Sequence, residues 1–157
     1  MTVKNIIYIR HAHAGKRDSW LFDDYKRPLS AKGNIQANRF AAKFKKVNDV
    51  APITIFSSPR LRCIATVGVL SLNTSQQINE LSDLDEGSDF KKSLKFALRQ
   101  NCKTVVLSTH GDIMYNLSKY LVKNKLSKVK SFDIEKSAYW WLSIENGKIK
   151  SAKKYKS

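Results

Sequence analysis

The feature that most constrains the fold is the segment Asn5-Ile6-Ile7-Tyr8-Ile9, which is followed at once by Arg10-His11-Ala12-His13. The apolar, β-branched and aromatic run predicts a buried strand over residues 4–10. In open α/β sheets, ligands bind at the carboxyl ends of the strands. We therefore expect Arg10 and His11 to lie in a functional site, with partners supplied by the rest of the chain.

The remainder of the chain alternates predicted strands with predicted helices. Further strands are predicted at residues 53–56, 77–78 and 103–108, and helices at residues 30–46, 61–72, 90–99 and 113–122. The tail, residues 139–155, predicts a hairpin around Asn146-Gly147, and residues 15–29 predict a long loop. Strands that alternate with helices predict an α/β fold with a mostly parallel sheet and helices on both of its faces.

The composition is that of a globular protein with an unusually basic surface. The chain has 157 residues, of which 42% are hydrophobic and 27% charged, and we expect residues 1–157 to form one domain. The net charge of +16 indicates either a solvated basic surface or attraction to a phosphate, a nucleic acid or an acidic protein. From Lys119 onward there are eleven lysines and no arginine. Because these lysines are scattered without interleaved aromatic residues, they argue against a dedicated nucleic-acid site.

Composition also bears on the compartment. No apolar run approaches the roughly 20 residues needed to cross a bilayer, so we expect no membrane partner. The amino-terminus lacks the pattern of a secretory leader. Cys63 and Cys102 are too few for a disulfide framework and lie in apolar contexts, which predicts reduced core thiols. The sequence therefore predicts a cytoplasmic protein.

Three predicted strands end in side chains that suit a phosphoryl group. These are Arg10 and His11 after the first strand, Arg60 and Arg62 after the second, and His110 with Gly111 after the strand at 103–108. The carboxyl ends of parallel strands share one edge of the sheet, so we expect these residues to converge. Arginine forks match phosphate oxygens, and a helix start adds free N–H groups. A neutral imidazole among them can attack phosphorus and form a covalent phosphohistidine.

Other residues have simpler interpretations. His13 is expected to be a structural or surface residue. A metal site built from His11, His13 and His110 is disfavoured because the arginines repel a divalent cation. The acidic residues between the third strand and the next helix either form a solvated loop or balance the arginines; they are Glu80, Asp83, Asp85 and Glu86.

Four motifs resemble those of the histidine phosphatase (phosphoglycerate mutase-like) superfamily. Arg10-His11-Ala12 resembles its Arg-His-Gly motif, with Ala12 in the glycine place. The segment Lys26-Arg27-Pro28-Leu29-Ser30-Ala31-Lys32-Gly33 resembles the Arg-Pro-Leu-Ser/Thr-x-x-Gly element of small bacterial members. The segment Ser57-Ser58-Pro59-Arg60-Leu61-Arg62-Cys63-Ile64-Ala65-Thr66 is similar to Ser-Ser-Pro-x-x-Arg-x-x-Gln-Thr. Val105 to Gly111 resembles the strand that carries the second histidine, and four motifs in order are more specific than one.

The nearest resemblance is to the short, SixA-type phosphohistidine phosphatases. It implies a three-layer α/β/α sandwich with a mostly parallel central sheet, and a phosphatase that needs no metal or other cofactor. By position, His11 is the nucleophile, His110 is a second catalytic residue, and Glu80 stands where many relatives place a proton donor. The residues implied in phosphate binding are Arg10, Arg27, Arg62, His110 and Gly111.

The substrate is less well defined than the chemistry. An alkoxide leaving group needs a proton donor, whereas phosphohistidine leaves as imidazole, which is protonated near neutral pH. The thin acidic motif and the short chain therefore favour phosphohistidine on a protein, such as a signalling phosphotransfer domain. The alternatives are a small phosphate ester, a phosphate-binding module without catalysis, and a basic nucleic-acid binder.

Overall fold

A six-stranded sheet forms the centre of the computed structural model, which describes residues 1–45 and 51–157. The strands are β1 (Asn5–Arg10), β2 (Ile53–Ser57), β3 (Ile78–Glu80), β4 (Thr104–Thr109), β5 (Tyr139–Glu145) and β6 (Lys148–Tyr155). They lie in the order β3-β2-β4-β1-β5-β6. The first four are mutually parallel, and β5 and β6 are antiparallel additions at one side. The predicted mostly parallel sheet is therefore confirmed.

Helices connect the parallel strands. They are α1 (Ala31–Lys45), α2 (Leu61–Thr66), α3 (Gly68–Thr74), α4 (Phe90–Leu98) and α5 (Gly111–Lys123). Short 3-10 turns occupy Arg17–Ser19, Asp24–Lys26 and Ser82–Leu84. The predicted end of the first helix at Lys46 lies outside the described residues. None of the helices in the described part of the chain is both long and apolar enough to span a membrane.

The prediction of one continuous helix over residues 61–72 is wrong. Val67 ends α2 and precedes α3, with φ −105° and ψ 6°, and its N–H donates to the carbonyls of Ile64 and Ala65. Val67 is β-branched and Gly68 follows it, and both are weak helix formers. Val67 and Leu70 are both buried in the core.

Alternate residues of the sheet face two separate hydrophobic clusters. On β1, Ile6 and Tyr8 pack into the cluster that also contains the apolar residues of α4 and α5. Ile7 and Ile9 pack into the cluster that contains residues of α1 and α3. A strand that is buried on both faces has a continuous run of apolar residues in its sequence, and residues 6–9 form such a run. The result is a three-layer α/β/α sandwich.

The carboxyl ends of β1, β4 and β2 lie level with one another. Arg10 pairs with Thr109, and Ser57 pairs with Ser108. The ladder continues one step further, because the N–H of His11 donates to the carbonyl of Thr109 at 2.9 Å. The residues that follow these three strands therefore emerge side by side at a single edge.

The antiparallel tail is the hairpin that the sequence predicts. Asn146 and Gly147 join β5 to β6 with φ of 52° and 72°. Positive φ at both central positions is the requirement of a type I′ turn, which Asn-Gly meets at little cost. The hairpin covers the outer side of β1, since Ile7 pairs with Trp141.

Candidate active site

His11 presents a free ring nitrogen at the carboxyl edge of the sheet. Its side chain is buried, and its Nδ1 lies 2.8 Å from the carbonyl oxygen of Ala12. A carbonyl oxygen only accepts hydrogen bonds, so Nδ1 carries the ring proton and Nε2 keeps its lone pair. Burial lowers the pKa of His11 to about 3, and the charges of Arg62 and Arg10 add to this effect. The ring is therefore a neutral imidazole with Nε2 available as a nucleophile.

The loop after His11 is held from two directions. The N–H of Ala12 donates to Thr66 Oγ1 at 2.8 Å, and that hydroxyl donates to the carbonyl of Arg62 at 2.7 Å. Thr66 thus ties α2 to the nucleophile. His13 bonds through Nδ1 to Ser30 Oγ at 2.7 Å, which agrees with its predicted structural role.

His110 lies beside His11 at the start of α5. The centroids of the two rings are 5.5 Å apart, with the rings edge to face. Burial lowers the pKa of His110 to about 4, against the opposing influence of Glu86. His110 Nε2 lies 2.8 Å from Ser58 Oγ, and Nδ1 lies 3.4 Å from Glu86 Oε1. Asp85 Oδ1 also lies 3.4 Å from Nε2 and accepts from the Ser58 hydroxyl at 3.3 Å, so each ring nitrogen of His110 has a carboxylate within 3.4 Å.

Arg10 lines the cavity next to these rings. Its Nη1 donates to the carbonyl of Ile134 at 2.6 Å, and its Nε is buried without a protein partner. The guanidinium group packs against the backbone of Gly111. Burial lowers the pKa of Arg10 from its ordinary value, although an arginine stays charged in a protein.

Three donors converge on one carboxylate oxygen next to the histidines. Glu86 Oε1 lies 2.8 Å from Arg62 Nη2, 2.8 Å from Arg17 Nη2 and 3.4 Å from His110 Nδ1. We call the space that these donors surround the anion seat. Arg62 is fully buried, and its Nε has no protein partner. The seat is a preorganised site for oxygen atoms that carry negative charge.

A second layer of ion pairs holds the arginines. Arg60 Nη1 lies 2.7 Å from Asp24 Oδ2, and Arg60 Nε lies 2.7 Å from Asp85 Oδ1. Asp24 also contacts Arg62 Nη2 at 3.2 Å. Burial alone raises the pKa of Asp24 and Asp85, but the neighbouring arginines outweigh it and lower both pKa values. Two interpretations of the acidic loop were a solvated loop and carboxylates that balance the arginines. Asp85 and Glu86 agree with the second, because both form ion pairs with arginines.

Two of the residues implied by the resemblance are placed differently from the others. Glu80 is exposed at the end of β3 and does not line the cavity. The carboxylate of Glu86 lies next to His110 instead. Glu80 ends up outside the site because β3 pairs with β2 at the side of the sheet away from β1. Arg27 does line the cavity, but it donates to the carbonyls of Ala14 and Gly15 at 3.0 and 3.2 Å. Arg27 thus anchors the loop beside the site.

Sequence reasoning missed the roles of Glu86, Arg17 and Asp24. The available signal was charge balance: buried arginines need carboxylates, and the loops at 15–29 and 80–87 are rich in them. The choice among those carboxylates depends on how the loops fold over the sheet. A cavity of about 930 Å³ opens above the site, with walls that include His11, His110, Arg17, Tyr115 and Lys136.

A neutral histidine, a second histidine and several buried arginines thus lie together at the carboxyl edge of a parallel sheet. The family model of the histidine phosphatase superfamily (branch 1) matches residues 6–89, and the chain belongs to this superfamily. A protein named 8-oxo-(d)GTP phosphatase from Mycolicibacterium smegmatis is 26% identical over 156 residues. That match covers 95% of this chain and 47% of the other protein, so the chain spans about half the length of the curated relative it matches.

Solved structures share the fold. The protein histidine phosphatase SixA complexed with tungstate has a TM-score of 0.67 and 19% identity, with 96% of this chain and 94% of that chain covered. A mycobacterial glucosyl-3-phosphoglycerate phosphatase complexed with VO3 has a TM-score of 0.59 and 16% identity, with 90% of this chain and 93% of that chain covered. These similarities show that the chain shares its three-layer α/β/α fold with both structures.

Proposed function

We propose that this chain removes phosphate from phosphohistidine on a protein, through a covalent phosphohistidine at His11 and without a metal. The observation that carries the proposal is the position of His11: its ring is neutral, its Nε2 is free, and it lies beside the anion seat. We further propose that the protein acts in signalling by phosphorylated proteins in the cytoplasm. In that compartment its two buried thiols stay reduced.

The reaction has two displacements at phosphorus. In the first, His11 Nε2 attacks the phosphorus, an N–P bond forms, and the N–P bond of the substrate breaks as its imidazole leaves and takes up a proton. In the second, water attacks the phosphorus, the bond to Nε2 breaks with its electron pair returning to the ring, and inorganic phosphate departs. Arg10, Arg62 and His110 hold the phosphoryl oxygens in both steps, because donors fixed before the reaction stabilise the charge of the transition state.

The charge state of Glu86 favours a nitrogen leaving group. Although burial raises its pKa, the contacts of its carboxylate with Arg60, Arg17 and Arg62 outweigh burial and lower the pKa below the ordinary value. Glu86 is therefore ionised near neutral pH and is a poor proton donor for an alkoxide. Imidazole has a pKa of about 6.5 and takes its proton from solvent, so phosphohistidine needs no acid from the protein.

A second candidate substrate is a small phosphate ester such as a nucleotide. Tyr115 lines the cavity, is 40% exposed, and has Phe132 edge-on with centroids 5.7 Å apart. An aromatic face in a cavity of about 930 Å³ suits stacking with a base. The relative named for 8-oxo-(d)GTP adds support to this alternative.

The experiment compares substrates in the presence of a chelator. A protein phosphorylated on histidine, free phosphohistidine, p-nitrophenyl phosphate and a nucleoside triphosphate are each incubated with wild type and His11→Ala. We expect turnover of both phosphohistidine substrates, and a phosphoenzyme that is stable to alkali, labile to acid and absent in His11→Ala. Faster turnover of the esters would favour the second candidate. Phosphate binding with no turnover of any substrate would refute both and indicate a binding module.

A further inference from the structure

A second, smaller pocket opens beside the active-site cavity. It has a volume of about 210 Å³ and shares Gly15, Lys16 and Arg27 with the cavity. Its other walls are mainly apolar and belong to the loop before α1; they include Ala14, Trp20, Pro28 and Leu29. The small pocket therefore adjoins the cavity that contains His11 and His110.

Leu21 and Phe22 extend the apolar wall of the pocket onto the outer surface. They are 88% and 72% exposed. The ring of Phe22 packs edge-on against that of Trp20, with centroids 5.1 Å apart, and Trp20 Nε1 donates to the carbonyl of Asp23 at 2.9 Å. The loop thus presents these side chains in a defined arrangement. Large apolar side chains grouped around a pocket on the surface mark an interaction site.

Three lysines lie at or near the same pocket. Lys16 lines both the pocket and the active-site cavity, and Lys136 lines the cavity. Lys32 follows Ser30, which lines the pocket, by two residues at the start of α1. In the part of the chain that the structure describes, none of these three ammonium groups forms an ion pair with a carboxylate. Cations left without a carboxylate partner around an apolar pocket are complementary to an acidic surface with an apolar side chain at its centre.

We propose that Lys16 and residues 19–22, with Lys32 and Lys136, form a docking face for an acidic protein that carries the phosphohistidine substrate. An apolar side chain next to the phosphorylated histidine enters the small pocket beside Trp20, and carboxylates around it face the lysines. This inference rests on the proposed function and deepens it, because it assigns the recognition of the protein to a surface outside the anion seat. The active-site cavity then binds the phosphoryl group, and the docking face selects which protein brings it.

The test separates docking from chemistry. The variants are the double substitution Leu21→Ser with Phe22→Ser, and the charge reversal Lys32→Glu; Leu72→Ser is the matched control, because Leu72 is 80% exposed and lines neither pocket. Each protein is assayed on an acidic and a basic carrier protein, both phosphorylated on histidine with phosphoramidate, and on free phosphohistidine. Folding is checked by circular dichroism.

We expect the double variant to raise KM for the acidic phosphoprotein by roughly tenfold or more, because burial of one large apolar side chain contributes that much. Lys32→Glu should raise the same KM and weaken its dependence on salt. Turnover of free phosphohistidine and the properties of Leu72→Ser should stay at the wild-type level.

Two outcomes would overturn the docking face and leave the proposed function standing. In the first, wild type hydrolyses the phosphoprotein and the variants have the same KM for it. In the second, the variants lose as much activity on free phosphohistidine as on the phosphoprotein. Wild type that hydrolyses neither phosphohistidine substrate refutes the proposed function, and the docking face with it. Wild type and variants are also sedimented with phosphatidylcholine–phosphatidylserine vesicles. Vesicle binding that is lost in the double variant, with unchanged phosphoprotein turnover, would assign the face to a lipid surface and overturn the proposal.

Discussion

The guanidinium group of Arg10 lies so close to the backbone of Gly111 that a Cβ atom built at residue 111 would fall 2.9 Å from Arg10 Cζ. Arg10 cannot give way freely, because its Nη1 is hydrogen-bonded to the carbonyl of Ile134. We therefore expect Gly111→Ala to displace Arg10 and weaken inhibition by inorganic phosphate by roughly tenfold, the scale of one charge-assisted hydrogen bond. Steady-state inhibition measures this change.

Gly68→Ala is the control for that substitution. A Cβ at residue 68 meets no atom within 4 Å, and alanine is a better helix former than glycine. Gly68→Ala should leave phosphate inhibition unchanged and the protein at least as stable as wild type. Equal phosphate affinity in Gly111→Ala and wild type would contradict the assignment of Arg10 to phosphate binding.

Glu86 occupies the anion seat, so a substrate phosphoryl group competes with its carboxylate for Arg62 and Arg17. Removal of that charge in Glu86→Gln should tighten inhibition by phosphate or tungstate by about tenfold, since one nearby like charge is lost. If Glu86 has no role as an acid, kcat for phosphohistidine should change little. A fall in kcat for p-nitrophenyl phosphate that is much larger than for phosphohistidine would instead identify Glu86 as the proton donor for esters. Glu80→Gln is the matched control, because Glu80 does not line the cavity.

The two buried histidines make stability depend on pH in a defined window. Their pKa values are lowered to about 3 for His11 and about 4 for His110, against about 6.5 in an unfolded chain. Between the folded and the unfolded pKa values, the unfolded state binds more protons than the folded state. The stability present above pH 6.5 is therefore lost as the pH falls. When the pH falls from 7 to 5, protonation of each histidine in the unfolded chain should lower the free energy of unfolding by about 2 kcal/mol.

Urea unfolding at pH 7 and pH 5 measures that loss. His11→Gln and His110→Gln should each remove about half of it, because glutamine does not titrate. An unchanged difference between the two pH values in both variants would show that other groups cause it.

Gly33 lies against the backbone of His13, and a Cβ at residue 33 would fall 2.0 Å from the carbonyl oxygen of His13. That oxygen also accepts from the N–H of Ser30 at 2.9 Å, so α1 and the loop after β1 meet at this point. Gly33→Ala should lower the free energy of unfolding by about 2 kcal/mol or more, as overpacking against backbone does. Chemical denaturation would detect the change, and a variant as stable as wild type would contradict the observed contact.

Local patterns predicted the elements that build the edge of the sheet. The first strand, the fourth strand and the Asn146-Gly147 hairpin follow from residue type and spacing, because an apolar run and a turn signature depend on neighbours in the chain. The same patterns placed His11 and His110 at strand ends. The prediction failed at Val67, where Val67 and Gly68, two weak helix formers in succession, divide one expected helix into two.

The sequence by itself determined the fold class, the family, and the two histidines and arginines that follow the parallel strands, since each is read from residues close together in the chain. Only the tertiary structure decided that Glu86 rather than Glu80 faces His110, that Arg27 anchors a loop, and that an apolar pocket opens beside Trp20. These features depend on how the loops at 15–29 and 80–87 meet over the sheet. Contacts between such distant segments follow from long-range packing and ion pairing, which no local pattern encodes.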